Sequence, residues 1–253
     1  YCRAVPKQGD GILDEEISLR FPSNVYVDYD DPTIYSRTRR LRDIIQDIMQ
    51  AHADGIHFRE WNAGPDLDPV MTPDGFTIDI KVDLSTGFIH GGNGHNCGTW
   101  MDKMGESAKA GNRGIPATPR DGAAIEIIAL LASTLRWLSS DGESTITGQK
   151  GVRVKDGQGF QSFSEWYDRL AASFDRNFYI PTDPEDDKGH HLDPTLIKIR
   201  GMYKDTYGAS TPNCDYQLRP NMIVALAICP EIFPAAHAQQ ALATAERHLV
   251  GPL

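Results

Sequence analysis

The sequence predicts an all-α fold with long loops and one small β-hairpin, and three observations lead to this prediction. Five stretches repeat apolar residues at helical spacing, whereas only one short stretch alternates apolar and polar residues. Long segments rich in glycine, proline and polar residues separate the helical stretches. This pattern is typical of a toroid, in which helices pack in pairs around an axis and loops at one end form the functional site. Five helices would make only part of such a ring.

The first part of the chain holds an irregular segment, one helix and the hairpin. Up to about Pro32, proline and glycine are frequent, so no regular element is expected. Residues 38–52 carry leucine and isoleucine on one face and charged residues on the other, which predicts an amphipathic helix ended by Gly55. Residues 77–83 alternate apolar and polar side chains, and a turn separates them from residues 88–89, which predicts the hairpin.

The second part of the chain begins with a long loop and continues with four helices. Residues 98–121 contain too many glycines and prolines for a helix, so we expect an ordered loop there. A mostly buried helix should run from Gly122 to Leu138, because Glu126 is its only carboxylate before the end. The capping-box pair Ser162 and Glu165 predicts the start of the next helix. An acidic loop is expected over residues 181–194, and two further helices over residues 218–233 and 235–250.

The composition of the chain excludes several classes of protein. The 253 residues include 25 Lys and Arg against 35 Asp and Glu, which gives a net charge of −10 at pH 7. A chain this acidic would repel a phosphate backbone, so nucleic-acid binding is not expected. No apolar run reaches the roughly 18 residues of a membrane span, and four scattered cysteines do not indicate a disulfide framework. We therefore expect a cytoplasmic protein that binds neither nucleic acid nor membrane.

The loop of residues 91–107 is the first candidate site. It brings an amide, an aromatic ring and a carboxylate, those of Asn96, Trp100 and Asp102, into a segment that local propensity does not explain. Sugar rings stack on tryptophan, and sugar hydroxyls need carboxylate and amide partners, so this composition fits a glycan subsite. An ordinary structural turn is the alternative interpretation.

Residues 201–221 form the second candidate site. This segment gathers three tyrosines and several hydrogen-bonding groups, among them those of Asp205, Asp215 and Arg219, next to a predicted helix. Two such loops can converge on one cleft. The alternative is that Arg219 and Asp215 form a local ion pair that caps the helix.

Other functional templates fit the sequence poorly. His90, His95 and Cys97 lack a fourth ligand at zinc-like spacing, and Gly189 stands one place too late for a calcium-binding loop. We therefore expect no metal and no cofactor. A thiol nucleophile formed by Cys97 and His95 is kept only as a rival enzyme class.

Four segments together closely resemble a known family. Residues 58–65, 91–107, 112–122 and 215–221 are similar to the C-terminal amylo-α-1,6-glucosidase domain of eukaryotic glycogen debranching enzymes. The resemblance implies an (α/α)6 toroid that hydrolyses, with inversion, the α-1,6-linked glucose left on a trimmed branch. It also implies that residues 1–253 are the central part of one catalytic domain, truncated at both ends. The parent chain is expected to carry a 4-α-glucanotransferase domain upstream.

The resemblance also implies roles for individual residues. Asp102 matches the general acid, which agrees with its place near Trp100, because aromatic neighbours raise the pKa of a carboxyl group. The glutamate that serves as base is expected beyond Leu253. Glucose contacts are expected from Asn96, Trp100, Lys103, Arg120, Tyr216, Gln217 and Arg219, and the carboxylates of Asp121, Asp205 and Asp215 are expected to be subsite or structural groups of the same cleft. Arg120 and Arg219 can equally be ion-paired scaffold.

The expected partners follow from the same resemblance. They are glycogen or limit dextrin and the remainder of the parent chain. The alternative function is that of a non-catalytic glycan-binding or structural half-toroid, when the chain is isolated.

Overall fold

The computed structural model describes residues 10–20, 28, 30–96, 98–101, 103–140, 146–154 and 159–251. Of these residues, 42% are helical and 17% lie in strands or bridges, so the fold is mixed. The prediction of an all-α chain, part of an (α/α)6 toroid, was therefore wrong. The strands of the described residues form several sheets of two or three strands each.

Five of the described helices follow the sequence pattern closely, whereas the first lies in the segment where no regular element was expected. The helices are α1 Asp10–Leu13, α2 Leu41–Asp54, α3 Ile125–Leu138, α4 Phe163–Phe178, α5 Asn221–Ile228 and α6 Ala235–Leu249. The capping box that opens α4 is present, since Ser162 and Glu165 each bond the backbone N–H of the other. The helix predicted over residues 218–233 is shorter than expected. It ends at Ile228 because Pro230 disfavours helical backbone at Cys229, where φ is −141°.

The strands are short, and most of them escaped prediction. They are β1 Glu16–Leu19, β2 Arg37–Arg40, β3 Ile56–Arg59, β4 Thr77–Val82, β5 Ile89–His90, β6 Ala123–Ala124, β7 Gly151–Arg153, β8 Phe160–Ser162, β9 Tyr179–Ile180, β10 Met202–Tyr203 and β11 Thr206–Tyr207. The predicted hairpin is confirmed, because β4 pairs with β5 in antiparallel register. Strand β3 adds to the other edge of β4. Elements of two to four residues are too short to show an alternating pattern, so the sequence analysis missed them.

One strand pair positions the two candidate loops. Strands β6 and β11 pair antiparallel, with Ala124 opposite Thr206, although they lie far apart in the chain. The N–H of Ile125 continues this contact by donating to the Asp205 carbonyl at 3.1 Å. The start of α3 is thereby held against the segment that precedes β11.

The main core lies around α3, which packs against α4 and α5. Ile125, Ile128 and Leu135 of α3 are fully buried. Near the end of α4, aromatic rings form a continuous cluster, in which Phe174 contacts Tyr203 and Phe233 at centroid distances of 5.8 and 4.8 Å. Burial of these side chains fixes the ends of α4 and β10, from which polar residues project. Among the described helices, none combines the length and hydrophobicity needed to cross a bilayer.

Candidate active site

A buried cluster of charged side chains joins the two candidate loops, and Arg120 lies at its centre. Arg120 is 1% exposed. Its Nε donates to Asp205 Oδ2 at 2.7 Å, and its Nη1 and Nη2 donate to the two carboxylate oxygens of Glu126 at 2.5 and 2.6 Å. The guanidinium therefore bridges the first turn of α3 and the segment between β10 and β11. We call this group, together with Arg219 and Asn221, the Arg120 cluster.

Asp205 collects donors from three directions within this cluster. Besides Arg120, it accepts hydrogen bonds from Arg219 Nη1 at 2.8 Å and from Asn221 Nδ2 at 2.7 Å. Two cations and two carboxylates balance, as buried charges require. Burial opposes the charge of Arg120, but the hydrogen bonds and charges of Glu126 and Asp205 outweigh it and raise the pKa of the guanidinium. The cluster is thus neutral overall and densely hydrogen-bonded.

The Arg120 cluster anchors the segment on either side of residue 102. Arg120 Nη1 donates to Thr99 Oγ1 at 3.1 Å, and Asn221 Nδ2 lies 3.4 Å from Met101 Sδ. A neighbouring strand-like segment adds two bonds, from Thr118 Oγ1 to the Met101 carbonyl at 2.8 Å and from the Ala117 N–H to the Lys103 carbonyl at 2.9 Å. The backbone at residues 101 and 103 is therefore fixed.

Two of the predicted residues in this loop are open to solvent. Trp100 is 63% exposed. Lys103 is also exposed. Asp102, the predicted general acid, lies outside the described residues, as does Cys97 of the rival nucleophile. An exposed indole beside an anchored backbone is a surface on which a sugar ring can stack.

The glycine-rich loop before Trp100 is held by internal contacts. Asn96 is buried, accepts the Asn93 N–H at 3.1 Å and donates to the Gly75 carbonyl at 3.2 Å. Gly92 and Gly98 both have positive φ, and a Cβ on either would lie about 3.2–3.3 Å from the other's Cα. Only glycine fits this approach without strain. The Asn96 amide group therefore stabilises the conformation of the loop.

Asp215 and Asp121 organise the second candidate loop. Asp215 accepts from Thr206 Oγ1 at 2.7 Å and from the N–H groups of Gly208 and Ala209 at 2.9 and 3.1 Å. Burial raises the pKa of Asp215, and these three donors act in the opposite direction. Asp121 Oδ2 accepts the Ser210 N–H at 2.8 Å. Both carboxylates therefore hold the loop that follows β11.

Lys204 occupies an unusual place behind this loop. It is buried, lies between the rings of Tyr207 and Tyr216, and donates to the His191 carbonyl at 2.6 Å. Burial lowers its pKa to about 8. The Tyr216 hydroxyl accepts the Asp193 N–H at 2.6 Å, which fixes the ring over Lys204.

The contacts of Gln217 and Arg219 differ from the local, helix-capping ion pair that one interpretation of the sequence suggested. Gln217 donates to the Asn213 carbonyl at 2.9 Å, within its own turn. Arg219 pairs with Asp205, and no ion pair between Arg219 and Asp215 is found. The substrate contacts predicted for these residues, and for Asn96, Trp100, Lys103, Arg120, Asp121, Asp215 and Tyr216, stay predictions.

A cavity of about 610 Å³ opens beside the glycine-rich loop and reaches the Arg120 cluster. Its lining includes Thr99 and Arg120 as well as two carboxylate residues, Glu60 and Asp68. Asp68 Oδ1 accepts the Val70 and Met71 N–H groups, at 2.8 and 3.1 Å. The cavity combines apolar walls with a few polar groups, as small-molecule sites do.

The sequence analysis missed Glu126, Asn221 and Thr99 as parts of the site. Glu126 could have been found, because a lone carboxylate on the buried face of α3 requires a buried cation. In the part of the chain that the structure describes, no three His, Cys, Asp or Glu side chains come close enough to hold a metal ion.

Comparison with known proteins shows which family and which relative the chain is similar to. The family model described as amylo-alpha-1,6-glucosidase matches residues 14–253. The chain is 47% identical over 255 aligned residues to a glycogen debranching enzyme of Saccharomyces cerevisiae. That alignment covers 100% of this chain and 16% of the yeast protein, so the chain spans about a sixth of its relative's length.

Proposed function

The chain belongs to the amylo-alpha-1,6-glucosidase family, and from this premise we propose that it forms part of a catalytic domain that hydrolyses α-1,6-linked glucose at the trimmed branch points of glycogen. The single observation that carries the proposal is the family match over residues 14–253. The anchoring of residues 101 and 103 beside the exposed Trp100 supports it, because a catalytic loop must hold its reacting group in place.

The proposed chemistry is an inverting hydrolysis. An inverting glycosidase needs a carboxylic acid that protonates the departing oxygen and a carboxylate that activates water, about 6.5–9.5 Å apart. We assign the acid to Asp102. The base belongs, in this proposal, to another part of the parent protein. The Arg120 cluster then acts as scaffold, because its charged groups are already paired with one another.

The proposed substrate is neutral, which suits the site. Glycogen and limit dextrin carry no charge, so stacking on Trp100 and hydrogen bonds to hydroxyl groups supply the affinity. Lys103 is exposed next to residue 102 and is proposed to contact the same glucose. We further propose that the parent protein is cytoplasmic and carries a 4-α-glucanotransferase domain elsewhere in its chain.

The proposal is tested in the full-length protein with Asp102→Asn. Loss of a general acid lowers rates by about 10²–10⁴-fold, so release of glucose from a limit dextrin should fall by that factor. Binding of the dextrin should change little, because asparagine preserves the shape of the side chain.

The matched control is Asp168→Asn, which removes an exposed carboxylate on α4. It should release glucose at the unaltered rate. Equal rates for Asp102→Asn and the control would remove Asp102 from the mechanism.

A further inference from the structure

A second cleft, of about 690 Å³, lies between the end of α4, the acidic 3-10 helix Pro184–Gly189 and the start of α6. Its lining includes Tyr179, Thr182, Asp183, Asp186, His190 and His237. None of these residues lines the cavity beside the glycine-rich loop. The cleft therefore stands apart from the Arg120 cluster, and the function proposed above does not use it.

Asp175, near the end of α4, fixes both histidines of the cleft. The Nδ1 atom of His237 lies 3.0 and 3.1 Å from the two carboxylate oxygens of Asp175, and that of His190 lies 3.2 Å from its main-chain carbonyl. Carboxylate and carbonyl oxygens only accept, so each Nδ1 carries the proton and donates. A neutral imidazole with its proton on Nδ1 has Nε2 as an acceptor for a ligand.

The wall of the cleft also holds a rigid flat surface. The imidazole of His237 stacks on the ring of Tyr179, with centroids 3.8 Å apart and planes 7° from parallel. Tyr179 is buried, while the His237 side chain is 36% exposed. Tyr203 supports the stack. Its ring lies 5.1 Å from that of Tyr179, centroid to centroid, and its hydroxyl donates to Asp175 Oδ1 at 3.0 Å. A ligand thus meets an immobile aromatic face.

The charge around the cleft narrows the class of ligand. Asp183 and Asp186 line it, and among the residues that the structure describes no lysine or arginine does. Arg200, which donates to the carbonyl of the cleft residue Pro181 at 3.1 Å, is also paired with Asp187 at 2.8 Å. Anions would be repelled, and the described residues bring no third metal-binding side chain to the two imidazoles. A ligand that supplies many hydroxyl donors and presents C–H faces to a ring is favoured.

We propose that this cleft binds a short run of α-linked glucose units, as a second glucan site apart from the catalytic loop. Sugar hydroxyls donate to the Nε2 atoms and to the two carboxylates, and one sugar face rests on the His237 imidazole. The proposal builds on the glycogen substrate proposed above. A second site would hold a polymer whose other chain end lies at the catalytic loop.

The test is hydrogen–deuterium exchange of the full-length protein with and without maltotetraose, a linear α-1,4-linked glucose oligomer. Protection is expected in peptides covering residues 181–190 and 235–240. His237→Ala should weaken this protection, with an apparent affinity about tenfold lower at the cleft, because a stacking face and an acceptor are lost. Protection at residues 98–107 and glucose release from limit dextrin should stay unchanged in that variant.

His248→Ala serves as the matched control, because His248 lies on the same helix, is exposed and does not line the cleft. It should leave all protection intact. Glucose release with no protection at the cleft would overturn the second site while leaving the proposed function standing. Cleft protection by agmatine, a guanidinium cation, but not by maltotetraose would also overturn it, in favour of a cationic ligand.

Discussion

The Arg120 cluster and the cleft around Asp175 are built on the same plan but differ in charge and burial. In each, one carboxylate gathers several donors: Asp205 binds Arg120, Arg219 and Asn221, and Asp175 binds Tyr203 and His237. The side chain of Asp205 is 1% exposed and that of Asp175 is 23% exposed. Charged donors as deeply buried as Arg120 need a buried counter-charge. We call Asp205 with its donors the first hub and Asp175 with its donors the second hub. The first hub should therefore be essential for folding, whereas the second should contribute only to local stability.

The two hubs are joined by three consecutive residues. Tyr203 donates to Asp175, Lys204 binds the His191 carbonyl, and Asp205 centres the charged cluster. A change in one hub can reach the other through this short segment. Single substitutions in and around this segment therefore test how the two hubs differ.

The largest effect is expected from Asp205→Asn. The substitution leaves Arg120 and Arg219 with Glu126 as their one buried counter-charge, so the free energy of unfolding should fall by about 3–5 kcal/mol. Urea unfolding followed by tryptophan fluorescence measures the change. Asp168→Asn, at an exposed site, should shift the same quantity by no more than about 0.5 kcal/mol. A loss as small as that of the control would mean that the buried charges do not depend on Asp205.

The next largest effect concerns pH and Lys204, which lies between the hubs. Its pKa is lowered from 10.5 to about 8, so above pH 8 the unfolded chain binds a proton that the folded chain does not. The free energy of unfolding should therefore rise with pH, by about 2 kcal/mol between about pH 8 and pH 9.5. The raised pKa values of Tyr203, Tyr207 and Tyr216 act in the opposite direction above about pH 10.

Lys204→Met isolates this contribution, because it keeps the length of the side chain and removes the titrating group. Urea midpoints of the variant and of the unaltered chain should converge as pH rises through that window. A constant gap between the two curves would show that Lys204 stays protonated when folded.

The helices could be predicted from the sequence because their causes are local. The apolar face of α3 and the capping box at Ser162 are visible within one turn or two, and both are confirmed. The strand pair β6–β11 could not be predicted, since two-residue strands carry no pattern and their partners lie about 80 residues apart. The all-α expectation failed for this reason.

The candidate site, too, could be predicted from the sequence only in part. Sequence pattern directed attention to the loops that carry Trp100 and Arg219, because their composition is unusual for a turn. The bond between Arg120 and Asp205 spans 85 residues and depends on how α3 packs. No local signal gives such a pairing, although the lone carboxylate of Glu126 on a mostly buried helix could have indicated a nearby cation.

The smallest effect is expected at the second hub, from Tyr203→Phe. The ring stays in the aromatic cluster, and only the hydroxyl that donates to Asp175 is lost, so the free energy of unfolding should fall by about 1 kcal/mol. Tyr35→Phe, at an exposed ring, is the control and should change nothing measurable. Asp175 keeps its bond from His237, which NMR of the imidazole Nδ1 proton can detect. A loss approaching that of Asp205→Asn would mean that the two hubs contribute equally to stability. Burial of charge would then not set them apart.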